Sequence, residues 1–90
     1  MFVVVCYDIP DDKRRSRVGN ILEGYGNRVQ RSVFECDLTT AHVKKLKERL
    51  GKVIKPDDSL RYYSLCAECL PKVEVANGPA IEKAQLYFVV

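Results

Sequence analysis

Asp8 is the side chain of this sequence best placed for metal chemistry. It follows the β-branched and aromatic run of residues 3–7, which predicts a strand buried on both faces. A carboxylate at the end of such a strand is costly to desolvate unless it meets a cation or hydrogen-bond donors. A divalent ion such as Mg²⁺ would meet that need and can activate a water for attack on a phosphodiester. The alternative role of Asp8 is to cap the following helix or form a turn.

Five arginines are candidates for nucleic-acid binding. Three of them start the segment after the first strand, and two open the next predicted strand: Arg14, Arg15 and Arg17, then Arg28 and Arg31. A helix N-terminus favours anions, so a phosphate there would meet both guanidinium groups and free backbone N–H groups. The alternative is a solvated charged face paired with neighbouring carboxylates.

Phe34 and the four cysteines are weaker candidates for functional residues than Asp8 and the arginines. Phe34 fits a core or dimer interface better than a base-stacking platform. Cys66 and Cys69 have the CxxC spacing that holds zinc or performs redox chemistry, but the sequence has no second CxxC and its single histidine lies elsewhere. We expect Cys6 and Cys36, which alternate with apolar residues, to be inert core thiols.

The elements that position these residues follow from periodicity and turn residues. Apolar spacing predicts helices over residues 12–25 and about 40–53, the second with Val43, Leu46 and Leu50 on its apolar face. Alternation predicts strands over residues 28–38, 60–66 and 72–75, and the apolar tail 86–90 predicts a fifth strand.

Read in order, these segments give βαβαββ with an additional strand, which is less common than the ferredoxin-like order βαββαβ. A turn inside residues 28–37 would restore the ferredoxin-like order, and alternation alone leaves both open. Both helices would cover one sheet face and leave the other bare. Since both faces of the first strand are apolar, we expect a second copy of the chain to cover the bare face. Two Asp8 carboxylates would then approach each other and share the metal.

Length and composition limit the class of protein to which this chain can belong. The 90 residues make one domain, residues 1–90, with 47% apolar and 30% charged residues, which excludes a disordered chain. The net charge of +3 permits an anionic partner without requiring one. No apolar run approaches the roughly 18–20 residues of a membrane span, and the N-terminus lacks the features of a signal peptide. We therefore expect a cytoplasmic protein with reduced thiols and no membrane partner.

Three segments together resemble the CRISPR-associated protein two family: YDIPDDKRR at 7–15, YGNRVQRSVFEC at 25–36 and LRYY at 60–63. The likeness covers nearly the whole chain. It implies an α+β, ferredoxin-like homodimer that takes part in spacer acquisition for antiviral defence. It also implies that the C-terminal strand, residues 86–90, is exchanged between protomers.

The resemblance also implies roles for individual residues. Asp8 would bind Mg²⁺ and carry an endonuclease activity on single-stranded RNA or double-stranded DNA. Arg15 and Arg17 would correspond to the basic positions of the first helix in the family, and Arg28 and Phe34 to the arginine and phenylalanine of its second strand. We expect Tyr7 and Phe34 to support the site. The dimer would bridge two dimers of the CRISPR integrase, protein one, and hold duplex DNA on its basic surface.

Three functional hypotheses remain from the sequence. The first is a Mg²⁺-dependent nuclease, and the second is a non-catalytic DNA-bridging adaptor in which Asp8 is structural. The third is an RNA-cleaving toxin module of the VapD type, or a ferredoxin-like regulator that binds a small molecule.

Overall fold

Two helices pack on one face of a four-stranded antiparallel sheet in the computed structural model, which describes residues 1–81. The elements are β1 (Phe2–Asp8), α1 (Asp12–Glu23), β2 (Asn27–Gln30), β3 (Val33–Asp37), α2 (Thr40–Gly51), β4 (Ser59–Leu65) and a short 3-10 helix (Leu70–Lys72). The strands lie in the order β2-β3-β1-β4. The order along the chain is therefore βαββαβ, and the expected ferredoxin-like fold is confirmed.

Two strand predictions from periodicity were wrong. The single strand over residues 28–38 is a hairpin, because a turn at Arg31 and Ser32 separates β2 from β3 and a bulge follows Arg28. The strand over residues 72–75 does not form. Pro71 has a fixed φ and no N–H, which favours the 3-10 turn that takes up Lys72. The predicted strand 86–90 lies outside the described residues.

Both helices begin with a side-chain cap. The Asp11 carboxylate accepts a hydrogen bond from the backbone N–H of Arg14 at 2.8 Å, and the Thr39 hydroxyl accepts one from that of His42 at 3.2 Å. Their apolar stripes face the sheet as predicted, with Val18 and Leu22 buried from α1 and Val43, Leu46 and Leu50 from α2. Within residues 1–81, neither helix is long and apolar enough to cross a membrane.

Alternation along β1 divides its side chains between the two sheet faces. Val3, Val5 and Tyr7 are buried under the helices, while Val4 and Cys6 are half-buried and Asp8 is exposed. We call this second surface the open face. The prediction that Cys6 is a core thiol was therefore wrong, because both faces of β1 are apolar and composition did not show which one the helices cover.

Cys36 does lie in the core, and burial raises the pKa of its thiol to about 11. The chain leaving α1 passes directly against it. A Cβ atom at Gly26 would stand 2.9 Å from Cys36 Cα and 2.5 Å from Cys36 Sγ, closer than a side chain can approach. Only glycine therefore allows β2 to enter the sheet along this path.

An ion pair ties α1 to the connection between α2 and β4. Arg14 donates from Nε and Nη2 to the two carboxylate oxygens of Asp58, each at 2.9 Å. Oδ2 of Asp58 also accepts from the backbone N–H of Lys55 at 2.8 Å, and its side chain is fully covered. The hydrogen bonds from Arg14 hold the pKa of Asp58 below its usual value.

Replacing Asp58 with Asn should lower the melting temperature by a few degrees, because the amide keeps one acceptor and loses the charge that Arg14 meets. A lowered native pKa stabilises the fold above the unfolded Asp value of about 3.9. The difference in melting temperature between the wild type and Asp58→Asn should therefore be largest above about pH 4. It should shrink as the pH falls through the pKa of Asp58 in the folded protein. Thermal denaturation across pH measures it.

The exposed neighbour Asp57 provides the control, since Asp57→Asn should change the melting temperature much less. A gap for Asp58→Asn that persists at strongly acidic pH would show that the charge of Asp58 is not its source.

Candidate nucleic-acid and metal site

A polar cleft of about 630 Å³ opens where β1 ends, on the side of the sheet that carries the helices. Its walls are Tyr7, Arg15, Ser16, Arg28, Arg31 and Ser32. The structure thus brings together three of the five predicted arginines. Guanidinium groups that converge with hydroxyls suit a phosphate, because each fork can donate two parallel hydrogen bonds to its oxygens.

Arg28 is held in this cleft from several sides. Its guanidinium carbon lies 4.7 Å from the centre of the Phe34 ring, which is fully buried and stacks with Tyr7 at 6.4 Å between ring centres. Arg28 Nη1 donates to the carbonyl oxygen of Arg31 and to Tyr7 Oη, the latter at 3.4 Å. Tyr7 and Phe34 therefore act as supports for Arg28, and Phe34 is a core residue, as the sequence analysis favoured.

Gly19 provides the room that Arg28 occupies. A Cβ atom at this position of α1 would stand 2.8 Å from Arg28 Nη2 and 3.3 Å from Tyr7 Oη. Sequence reasoning missed Gly19, and missed Ser16 in the cleft wall. The one signal for Gly19 was a glycine in the middle of a helical pattern, which is unfavourable for a helix unless something packs against it.

The other arginines differ in how free their charges are. Arg15 donates from Nη1 to the carbonyl oxygen of Ile9 at 2.8 Å and pairs with Asp12. Arg31 is exposed, and its side chain enters none of the ion pairs within residues 1–81. Arg17 is likewise exposed but does not line the cleft, and the charge of Arg14 is met by Asp58.

Asp8 lies beside this cleft along the chain but on the other face of the sheet. It is exposed at the end of β1, opposite Ser59 of β4. None of the ion pairs of the described chain includes Asp8. Its carboxylate is a ligand type that Mg²⁺ prefers, but residues 1–81 contain no group of three or more His, Cys, Asp or Glu that could hold a metal. The described part of one chain therefore offers only part of a metal site at Asp8.

The open face around Asp8 combines apolar and charged side chains. Val4 and Val33 are half-buried there, and Tyr63 is 49% exposed with its hydroxyl accepting a hydrogen bond from Arg61 at 3.2 Å. Glu35 lies across from Val4, and partial burial raises the pKa of its carboxyl. This face is the part of the sheet that the two helices leave uncovered.

Comparison with known proteins gives a consistent result. Over its full length, the chain aligns with the full length of the CRISPR-associated endoribonuclease Cas2 1 of Chloroflexus aurantiacus and is 42% identical to it. The crystal structure of Streptococcus pyogenes Cas2 at pH 6.5 superposes with a TM-score of 0.74 at 37% identity, covering 86% of this chain and all of that one.

A chain of a solved partial Cas6-RT-Cas1–Cas2 complex superposes with a TM-score of 0.75 at 28% identity, covering 92% of this chain and 98% of that one. Residues 1–73 match the family model described as CRISPR associated protein Cas2. The strand order, the matched residues and the full-length relative agree, and the chain belongs to the Cas2 family of CRISPR-associated proteins.

Proposed function

We propose that this protein is a Mg²⁺-dependent endonuclease that binds RNA or double-stranded DNA through its arginine cleft and cleaves it at Asp8. The observation that carries the proposal is the convergence of Arg15, Arg28 and Arg31 at the end of the strand that presents the Asp8 carboxylate. The endoribonuclease name of the Chloroflexus relative supports the same chemistry.

The arginines and Asp8 have different roles in the proposed cleavage. Arg28 and Arg31 bind phosphate oxygens and fix the position of the backbone, while Arg15 adds charge from the first turn of α1. Asp8, together with the same residue of a second copy, would hold the metal. A Mg²⁺ ion there would supply positive charge to stabilise the negative charge that develops on the phosphate.

A homodimer is part of this proposal because one Asp8 does not complete a metal site. The open face supports it: Val4, Val33 and Tyr63 present apolar surface that a second sheet would cover. With the open faces together, the helices and the arginine clefts of both copies would lie outward, where nucleic acid can reach them.

A second candidate is a bridging adaptor that binds duplex DNA and two dimers of the CRISPR integrase without cutting. The likeness to a chain of a Cas1–Cas2 complex favours it, as does the single carboxylate that each chain contributes. In that case the arginine cleft keeps its role, and Asp8 has a structural one. The two candidates differ only in the chemistry at Asp8.

Replacing Asp8 with Ala should reduce Mg²⁺-stimulated cleavage of RNA and duplex DNA by at least roughly a hundredfold, because the metal loses its protein ligand. Cleavage is measured on labelled strands with Mg²⁺ and with EDTA. Glu48→Ala removes an exposed carboxylate from α2 and should cleave like the wild type. Full activity in Asp8→Ala would refute cleavage at Asp8, whereas no cleavage by any form together with tight duplex binding would favour the adaptor.

Placing a charge on the open face should separate the dimer. Tyr63→Glu would remove an aromatic ring and bury a carboxylate beside Arg61 in each half of the interface, and we expect roughly a hundredfold weaker association. Sedimentation velocity over a range of concentrations measures it. Ala41→Glu, which adds the same charge to the exposed side of α2, should leave association unchanged. Equal association of both variants and the wild type would exclude the open face as the interface.

Removing Arg15 and Arg31 together should weaken duplex binding and make it less dependent on salt. Each lost phosphate contact lowers the slope of log K against log salt by about 0.9, so the double Ala variant should lose about 2 from the slope. Lys44→Ala with Lys45→Ala removes the same charge from α2, outside the cleft, and serves as control. Equal loss of slope in both would mean that binding follows net charge alone.

A further inference from the structure

The turn that follows β4 carries a pair of thiols that the proposed nuclease does not use. Cys66 comes directly after Leu65, the last residue of β4, and Cys69 precedes the 3-10 helix. Both are exposed and in the free thiol form. Their solvent access distinguishes them from Cys36, which is buried, and from Cys6, which is half-buried on the open face.

The backbone of this turn brings the two cysteines together. The N–H of Cys69 donates to the carbonyl oxygen of Cys66 at 3.1 Å, and the N–H of Leu70 donates to the same oxygen at 3.0 Å. A turn closed between residues i and i+3 keeps its end Cα atoms within about 7 Å. Disulfides span Cα separations of about 4.4–6.8 Å, which lies within the spacing that such a turn allows.

The two thiols are unequal. The neighbouring Cys69 side chain holds the pKa of Cys66 below its usual value, and the Cys66 side chain raises the pKa of Cys69. Because the thiolate is the nucleophile, Cys66 is the thiol that reacts first and Cys69 the one that follows. Burial raises the pKa of Cys36 to about 11, which suppresses its reaction.

We propose that Cys66 and Cys69 form a reversible dithiol–disulfide site that exchanges with low-molecular-mass disulfides. The Cys66 thiolate attacks one sulfur of the small disulfide and expels the other half as a thiolate, leaving a mixed disulfide on the protein. The deprotonated Cys69 sulfur then attacks Cys66 Sγ and releases the second half. The protein loses two electrons and two protons, and one small disulfide becomes two thiols. This site does not depend on the proposed nuclease activity.

Oxidation would add a covalent closure where the chain leaves the sheet. The segment beyond the turn runs through Pro71 toward residues 73–77 and Pro79, which border a second cleft with Val29, Gln30 and Glu35 of the β2–β3 hairpin. The disulfide would thus fix the starting direction of a segment that borders this hairpin. We place the site at this junction, between β4 and the chain that follows it.

The test equilibrates the full-length protein in buffers of varied reduced and oxidised glutathione, followed by acid quench, alkylation and mass spectrometry. We expect a Cys66–Cys69 disulfide, seen as loss of two hydrogen atoms, that is fully reversed by excess reduced glutathione. In Cys69→Ser the glutathione adduct should accumulate on Cys66, because the second thiol is missing. Cys66 should react with iodoacetamide at least roughly tenfold faster than Cys36 in the native protein.

Cys6→Ser is the matched control and should form the Cys66–Cys69 disulfide as the wild type does. Three results would overturn the proposal. The first is no disulfide at any glutathione ratio, and the second is a disulfide only between separate chains. The third is tight zinc binding by the reduced protein that protects both thiols, since that would make the pair metal ligands.

Discussion

Within residues 1–81, the two α-helices lie on one face of the sheet, and the rest of the described structure depends on this asymmetry. β1 lies inside the sheet between β3 and β4, so the apolar side chains on both of its faces need cover. The helices supply it for Val3, Val5 and Tyr7, which enter the core. The other face keeps Val4 and Cys6 half-buried and ends in the exposed Asp8. The segment after β4 borders part of this face through Val73 and Val75, and a second protein surface is one way to bury the apolar area that stays exposed.

The same asymmetry separates the two parts of the candidate site. Adjacent residues of a strand point to opposite faces, so Tyr7 lines the arginine cleft while Asp8 lies on the open face. The carboxylate therefore does not neutralise the guanidinium groups. Arg28 is stabilised instead by the Phe34 ring and by Glu23, whose carboxylate oxygen lies 3.5 Å from Arg28 Nη2. The guanidinium group of Arg28 is therefore held in position and can still bind an anionic ligand.

Sequence patterns predicted the helices well, because each has a clear apolar stripe. The first helix is capped by Asp11 and not by Asp8, the residue for which the sequence left a capping role open. The split between β2 and β3 was not predictable from pattern, because Arg31 and Ser32 form the turn without glycine or proline. The ferredoxin-like order therefore came from the family resemblance.

The site was predictable as a set of residue types but not as an arrangement. The neighbouring sequence does not distinguish Arg14 from Arg15. The ion-pair partner of Arg14 is Asp58, which lies 44 residues further along the chain. The Cas2 family membership, the fold and the prediction of one domain rest on patterns that span the chain, whereas the sorting of arginines depends on tertiary contacts. Mg²⁺, the second copy, the integrase and a cytoplasmic location remain predictions of the sequence.

Two glycines that touch neighbouring groups should differ in how evolution can change them. A Cβ atom at position 19 would first meet the end of the flexible Arg28 side chain. A larger residue could therefore be accepted there if the guanidinium group moved, and the move would change which ligands the cleft prefers. The atoms nearest Gly26 include the backbone of Cys36, which cannot withdraw without separating two strands. Position 19 is therefore open to functional divergence, while position 26 constrains the hairpin itself.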